Sequence, residues 1–434
     1  MPFFYSTDLK SQTIDPSSEI VNNKVQFRLP EDTAFYPNLR LANVGSIGNP
    51  AHTYNRIAGV YGCIKHVRLL SNGVELDAMR FANRYLAFKN LLNNNSENCS
   101  VNRKLVKHSI GFEVQPTNHT VFGGATTLEN TNATAFDESK LGHLDLRKCL
   151  PVLENMPVID TAVFKNCILE IELEKDVRRI VVVDNVAQTI QTPLLIAEEI
   201  TNPQLRASLS KDFTGAVWNK IEHDVVNVAA VANPAGAGDK TDQSVALPLN
   251  SFDNKFLSRM VLMKTYNDKS KYVNSRGISA NVVEGFGDLG SLVPHKEKIQ
   301  VKLNGANIFP QPIESPNQKL MMINDSWGRL NVIPYGHLES VGADVDGAAQ
   351  QNLQGAPPTL NANNKARNEV GGVGFFGCAV NATVGSLSVQ FERTAVNNGL
   401  TAAADQNALD IHAYGECRKA IAINSDGSFN VSYA

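Results

Sequence analysis

The residues of this 434-residue chain whose chemistry could be put to work are its histidines, its cysteines and its glycine-rich turns. His223 stands between Glu222 and Asp224, and an imidazole beside carboxylates is the raw material of a metal site or a general base. No second histidine follows at i+2, i+3 or i+4, so we read the trio as a solvated strand end. The histidines at 52, 66, 108, 119, 143, 295, 337 and 412 are isolated in the same way. Six cysteines, at 63, 99, 149, 167, 378 and 417, include no CxxC pair, which removes the usual zinc and redox spacings and leaves reduced core residues.

The glycine motifs fail on context. Gly285 to Gly290 and Gly372 to Gly377 both spell GxGxxG, but a dinucleotide turn must open a helix. The first runs into Pro294 and the second into the strand-like Cys378 to Val384. Pro234 to Thr241 approaches a phosphate-binding loop, yet Asp239 occupies the position before Lys240 where that loop needs glycine. No GxSxG elbow, HExxH pair or papain-like cysteine signature occurs. We therefore assign no catalytic, cofactor-binding or metal-ligating residue and expect no cofactor.

What the sequence does carry is repetition. Val67 to Leu76 is a strand, an Asn72-Gly73 turn and a returning strand; Gln300 to Phe309 repeats it around Asn304-Gly305. Asn-Gly between alternating apolar residues is a strong hairpin signal, because both central residues of a type I′ turn need φ > 0. A helical pattern follows each hairpin. The first starts at Asp77, with Phe81, Tyr85, Phe88 and Leu92 on one stripe; the second starts at Ser315-Pro316, with Leu320, Ile323, Asn324 and Trp327. Further on, Phe164 to Leu173 and Gly385 to Arg393 are both alternating strands ending in charge. The turn glycines lie about 230 positions apart and the late strands about 220, the same offset within the slack that loops allow. Two tandem copies of one β-rich domain explain the pattern, and the four turn residues Asn72, Gly73, Asn304 and Gly305 should sit at equivalent places.

Length suits two domains of about 200 residues each. We place the first over 21–202 and the second over 203–434, with Thr201-Asn202-Pro203 as the turn at their junction. The polar start, residues 1–20, reads as an arm that orders against a partner through its aromatic cluster Phe3, Phe4 and Tyr5; the alternative is an extra edge strand on the first domain. The first clear strand is Lys24 to Leu29, and the second half resumes at Phe256. The segments 93–100, 125–140 and 342–372 read as loops. Short strands and long connections indicate an all-β chain of two eight-stranded antiparallel jelly rolls with short helices in the loops. A net charge of −3 supplies no global basic field, so sequence-specific nucleic-acid binding is not expected. Nor does the chain contain a secretory signal or an apolar run long enough to be a transmembrane segment.

Leu144 to Leu153 followed by Val163 to Glu172 resembles the late strands of the first jelly roll in double jelly-roll major capsid proteins. Lys298 to Gly305, Phe309 to Pro312, Tyr414 to Ala420 and Val431 to Ala434 are similar to the second. The likeness is to the hexon-like proteins of Polintons and adintoviruses, relatives of the adenovirus and tailless-phage lineage. It implies a virion capsid protein made in the host cytoplasm or nucleus, whose homotrimers tile an icosahedral shell. It also implies partners: neighbouring capsomers, a penton protein and minor capsid proteins. The chain lacks the large tower insertions of adenovirus hexon. A soluble two-domain β-sandwich lectin or adhesion module is the alternative.

Overall fold

The computed structural model describes residues 8–17, 23–47, 59–93, 105–106, 120–121, 124–125, 141–174, 189–231, 239–266, 298–314, 316–328, 375–396 and 408–433. Phe3, Phe4 and Tyr5, Ser315, both GxGxxG turns up to Gly374, and nearly all of the three long loop segments lie outside the described residues.

Among the described residues, eight strands build the two main sheets of the first half: β1 (Leu9–Ile14), β2 (Lys24–Arg28), β3 (Ala34–Val44), β4 (Ile64–Ser71), β5 (Val74–Arg80), β6 in two pieces (Gly142–Asp145 and Ile159–Asp160), β7 (Cys167–Leu173) and β8 (Leu194–Ile200). Two short two-stranded ladders, Ser46–Ile47 with Thr189–Ile190 and Thr120–Val121 with Gly124–Ala125, lie outside them. The second half carries β9 (Gly215–Val228), β10 (Lys240–Pro248), β11 (Phe256–Tyr266), β12 (Lys298–Leu303), β13 (Ala306–Asn307), β14 (Phe375–Thr383), β15 (Leu387–Val396) and β16 (Leu409–Ile423). A closing strand, β17 (Phe429–Tyr433), pairs with β16. The helices used below are α1 (Ala82–Asn93), α2 (Pro203–Asp212) and α3 (Pro316–Trp327).

The sheet orders are β1-β8-β3-β6 and β2-β7-β4-β5 in the first half, β9-β16-β11-β14 and β10-β15-β12-β13 in the second. Adding eight to each strand number turns one pair of sheets into the other. Every ladder is antiparallel, and among the described residues none joins a strand before residue 201 to one after it. Each half is a jelly roll, two four-stranded sheets packed face to face over alternating inward residues. In β2, Val25 and Phe27 are buried while Lys24, Gln26 and Arg28 are exposed. Opposite them in β7 stand Ile171 and Leu169. The matching ladder of β10 and β15 pairs Val245 with Phe391 and Leu247 with Val389.

The hairpin turns occupy equivalent places. Asn72 and Gly73 join β4 to β5 with φ of 47° and 80°; Asn304 and Gly305 join β12 to β13 with 52° and 82°. The Asn72 N–H donates to the Lys165 carbonyl at 3.0 Å, and the Asn304 N–H to Ser386 at 2.8 Å, each tying the turn to the start of the next sheet neighbour. The Asn304 side chain also accepts from the Gly385 and Ser386 amides at 2.8 and 2.9 Å.

Three expectations are corrected. Residues 9–14 are not an arm awaiting a partner: they form β1, laid along β8 from the Leu9–Ile200 pair to the Ile14–Leu195 pair, so the edge-strand alternative holds there. The first helix starts at Ala82 and not at Asp77, because β5 runs on to Arg80, Asp77 is buried within it, and Phe81 breaks the direction with φ of 49°. Thr201-Asn202-Pro203 is the start of α2, with the Asn202 side chain accepting from the Gln204 and Leu205 amides and proline at the first turn.

Candidate functional site

The place where sequence-distant polar and aromatic residues converge is the seam between the two rolls. His223 does not end a solvated strand: it is 7% exposed, on β9, with its Nε2 2.9 Å from Nδ1 of His412 on β16. Its flanking carboxylates point elsewhere, Asp224 accepting from the Ser251 amide at 3.0 Å and Glu222 joining Lys220 and Lys255. Nor are His66 and His412 isolated. The ring of Phe81, from the first roll, lies 5.0 Å from His66, 4.9 Å from His223 and 5.2 Å from His412.

Phe81 holds this place through its backbone. Its N–H donates to His66 Nδ1 at 3.0 Å, and its carbonyl accepts from the Tyr414 hydroxyl at 2.9 Å across the seam. The Arg84 guanidinium sits 5.0 Å over the ring. Burial, with the Arg84, His66 and Arg80 charges, pushes His223 down to about 3. Burial also lowers His66 to about 4, against the pull of Glu172. Both imidazoles are neutral at neutral pH.

Beside this cluster the helices that follow the two hairpins meet. Trp327 of α3 packs its ring edge-on to Phe88 of α1 at 5.1 Å and reaches Tyr85 at 6.3 Å, while Tyr85 touches Tyr414 at 5.4 Å. The Trp327 indole donates to the Met260 carbonyl at 3.1 Å. Arg259 stacks on Trp327 at 4.2 Å and grips Glu416 with two hydrogen bonds of 2.9 and 3.0 Å.

The third part of the seam is charged. Lys419 of β16 donates to the Leu76 and Glu75 carbonyls of β5 at 3.0 and 3.3 Å. Lys220 of β9 meets Glu75 at 2.8 Å and Glu222 at 3.1 Å, and Glu222 accepts from the Tyr433 hydroxyl of β17. Burial opposes the Lys220 charge, but Glu222 and Glu75 outweigh it and raise its pKa; Lys419, lowered by burial and by Lys220, falls to about 8. Asp77, buried nearby, rises to about 6 although the Val152 amide and both lysines favour its charge. Phe429 of β17 closes the seam against Phe164 at 5.3 Å. The buried apolar residues of both rolls form one continuous cluster across it.

This arrangement locks two rolls together. Among the described residues no group of three or more His, Cys, Asp or Glu could hold a metal, and no helix is long and apolar enough to cross a membrane. The cysteines at 63, 149, 167, 378 and 417 are free and buried, with Cys149, Cys167, Cys378 and Cys417 raised to about 12 chiefly by burial. Cys99 lies outside the described residues.

The fold and seam together define a double jelly roll. No protein-family model matches the chain, and no curated protein matches it by sequence. Solved structures match it end to end in fold. PBCV-1 VP54, in a crystal structure fitted into a reconstruction of the virophage Sputnik, has a TM-score of 0.55 at 12% identity, covering 100% of this chain and 99% of that one. The mavirus major capsid protein has a TM-score of 0.54 at 12% identity, covering 100% and 91%. The Sputnik virophage structure gives 0.56 at 11%, covering 100% and 90%.

Proposed function

We propose that this chain is a virus major capsid protein that assembles as pseudo-hexagonal homotrimers tiling an icosahedral shell. The observation that carries this reading is the strand-for-strand repetition of an eight-stranded roll within one chain, in a fold shared over its full length with capsid proteins of PBCV-1 and mavirus. Two like rolls per subunit give a trimer six nearly equivalent sides, so a threefold particle fills hexagonal positions. The two domains divide near 202–203, with β1 counted in the first, and the residues before β1, with Phe3, Phe4 and Tyr5, serve as an arm bridging neighbouring capsomers. Penton and minor capsid proteins complete the shell.

The seam supports the trimer in one respect. Helices α1 and α3 each follow a hairpin and are each twelve residues long. On α1, Tyr85 and Phe88 meet Tyr414 and Trp327 of the second roll, whereas Met321 of α3 is 60% exposed. In a ring of six rolls, α3 would face the first roll of the next subunit, and Met321 would be covered there.

Mass photometry and negative-stain microscopy of the purified chain test the reading. Trimers with a hexagonal outline are expected, together with a folded Met321→Glu variant that stays monomeric. A wild-type chain that is monomeric under every salt and pH condition would favour the two-domain lectin or adhesion alternative.

A further inference from the structure

A cavity of about 580 Å3 opens beside the aromatic part of the seam, walled by both rolls. The first roll contributes Lys89 of α1 with Arg147 and Lys148; the second contributes Trp218, Arg259 and Arg418. Two of these cations are already neutralised. Arg147 binds both oxygens of Asp145 at 3.0 Å, and Arg259 binds Glu416. The other three are not. Lys89, Lys148 and Arg418 stand over the rings of Trp327, Tyr61 and Phe256 at 5.8, 6.0 and 5.1 Å, and among the described residues none forms an ion pair.

The cleft wall is closed at Trp218, which is 2% exposed. Two carboxylates share the lining: Glu416 is held by Arg259, and Glu154 is exposed. Lys89 still carries a mark of unmet charge, since burial lowers its pKa although Glu416 and Glu154 pull it up.

We propose that this cleft binds a compact phosphate-bearing polyanion, held by Lys89, Lys148 and Arg418, and so bridges the two rolls. Lys89, Lys148 and Arg418 against the single carboxylate of Glu154 leave an excess of about two positive charges, which calls for a compact anion of at least that charge. A di- or triphosphate supplies it, because each phosphate carries up to about two charges and several acceptor oxygens, where a carboxylate carries one charge. The Lys89 and Lys148 ammoniums act as point partners and the Arg418 guanidinium as a fork of donors, while Arg147 and Arg259 are spent on the protein's own carboxylates. The whole chain is slightly acidic, so the attraction is local to this cleft. It is the cleft's own geometry, independent of the shell reading, that carries the assignment.

Thermal unfolding of the full chain at fixed ionic strength, with sodium tripolyphosphate, pyrophosphate, inorganic phosphate, citrate or sulfate, tests it. Millimolar tripolyphosphate should raise the midpoint by a few degrees, with pyrophosphate and phosphate progressively weaker. Lys148→Gln and Arg418→Gln should each weaken the apparent affinity about ten-fold, the worth of one charge-assisted hydrogen bond. A tripolyphosphate shift no larger than that of sulfate, or one unchanged in Lys148→Gln and Arg418→Gln, overturns the site. Equal shifts with citrate and tripolyphosphate overturn the phosphate assignment.

Discussion

Acid should loosen the seam, and His223 allows the size of the effect to be worked out. In the unfolded chain its imidazole takes up a proton near 6.5; in the folded chain it does so only at about 3. Its contribution to stability is therefore complete above pH 6.5 and is lost as the pH falls toward 3. Between pH 6.5 and 5 the loss from His223 is roughly 1–2 kcal/mol. His66, held down to about 4, runs the same way and loses about as much. Asp77 runs against them: its folded pKa of about 6 lies above its ordinary 3.8, so its contribution grows as the pH falls, by about 1 kcal/mol over the same interval. These three groups together lose about 2 kcal/mol in the wild type. In His223→Phe their sum shrinks to less than about 1 kcal/mol, since phenylalanine cannot titrate. Urea titrations of both proteins at the two pH values, followed by circular dichroism, yield a difference of differences in which His66 and Asp77 cancel. The charges facing His223 from other elements are Arg84 of α1 and Arg80 of β5, joined by His66 of β4 once acid protonates it, and each opposes protonation of the imidazole. Equal pH dependence in wild type and variant would mean that His223 titrates normally when folded, and a closed, dry seam would be refuted.

Three further outcomes follow from the backbone. Gly73→Val and Gly305→Val should each cost roughly 1–3 kcal/mol in urea unfolding, because φ of 80° and 82° is hostile to a branched Cβ even though nothing lies within 4 Å of it. An unchanged midpoint would show that the turn can relax. Gly377→Ala should cost about 1–3 kcal/mol, since its Cβ would meet Trp327 at 2.8 Å, and near-UV dichroism should report a displaced indole. Deleting residues 1–7 should leave the unfolding midpoint nearly unchanged, whereas deleting residues 1–14 should cost roughly 2–4 kcal/mol by stripping a six-residue ladder from β8; equal midpoints would deny β1 a structural role.

The turns were legible because a type I′ hairpin is a local event: two adjacent residues need positive φ, and Asn-Gly meets that need. The late strands, β7 and β15, were legible because each sits in the middle of a sheet and alternates cleanly. Edge strands were harder. Strand β1, Leu-Lys-Ser-Gln-Thr-Ile, buries no residue fully, and β10 alternates between exposed and half-buried positions, so neither carries the apolar rhythm of a central strand. Strand β9 was hidden for another reason. Its buried positions include Lys220 and His223, which face the first roll instead of their own core, and polar residues at inward positions erase the pattern that reveals a strand.

The same reason makes the seam invisible in the sequence. His66, His223 and His412 lie on three strands from two rolls, and no spacing rule relates residues so far apart in the chain. Repetition predicts that the two rolls are alike, yet it is where they differ that they can join. Helix α1 carries buried Asn83, Arg84 and Asn90, whereas α3 offers an exposed Met321. A repeat with identical rolls would present both helices with the same surface, and a subunit could not distinguish its own second roll from that of a neighbour. Polar, hydrogen-bonded partners such as Tyr414 with the Phe81 carbonyl and Lys419 with the Leu76 carbonyl fix the inner pairing by geometry. On α3, Met321 stays exposed among Gln318, Asn324 and Asp325 and is open to an outer contact. In the proposed trimer, the divergence of the two copies at these positions would let one chain set the order of rolls around the threefold axis.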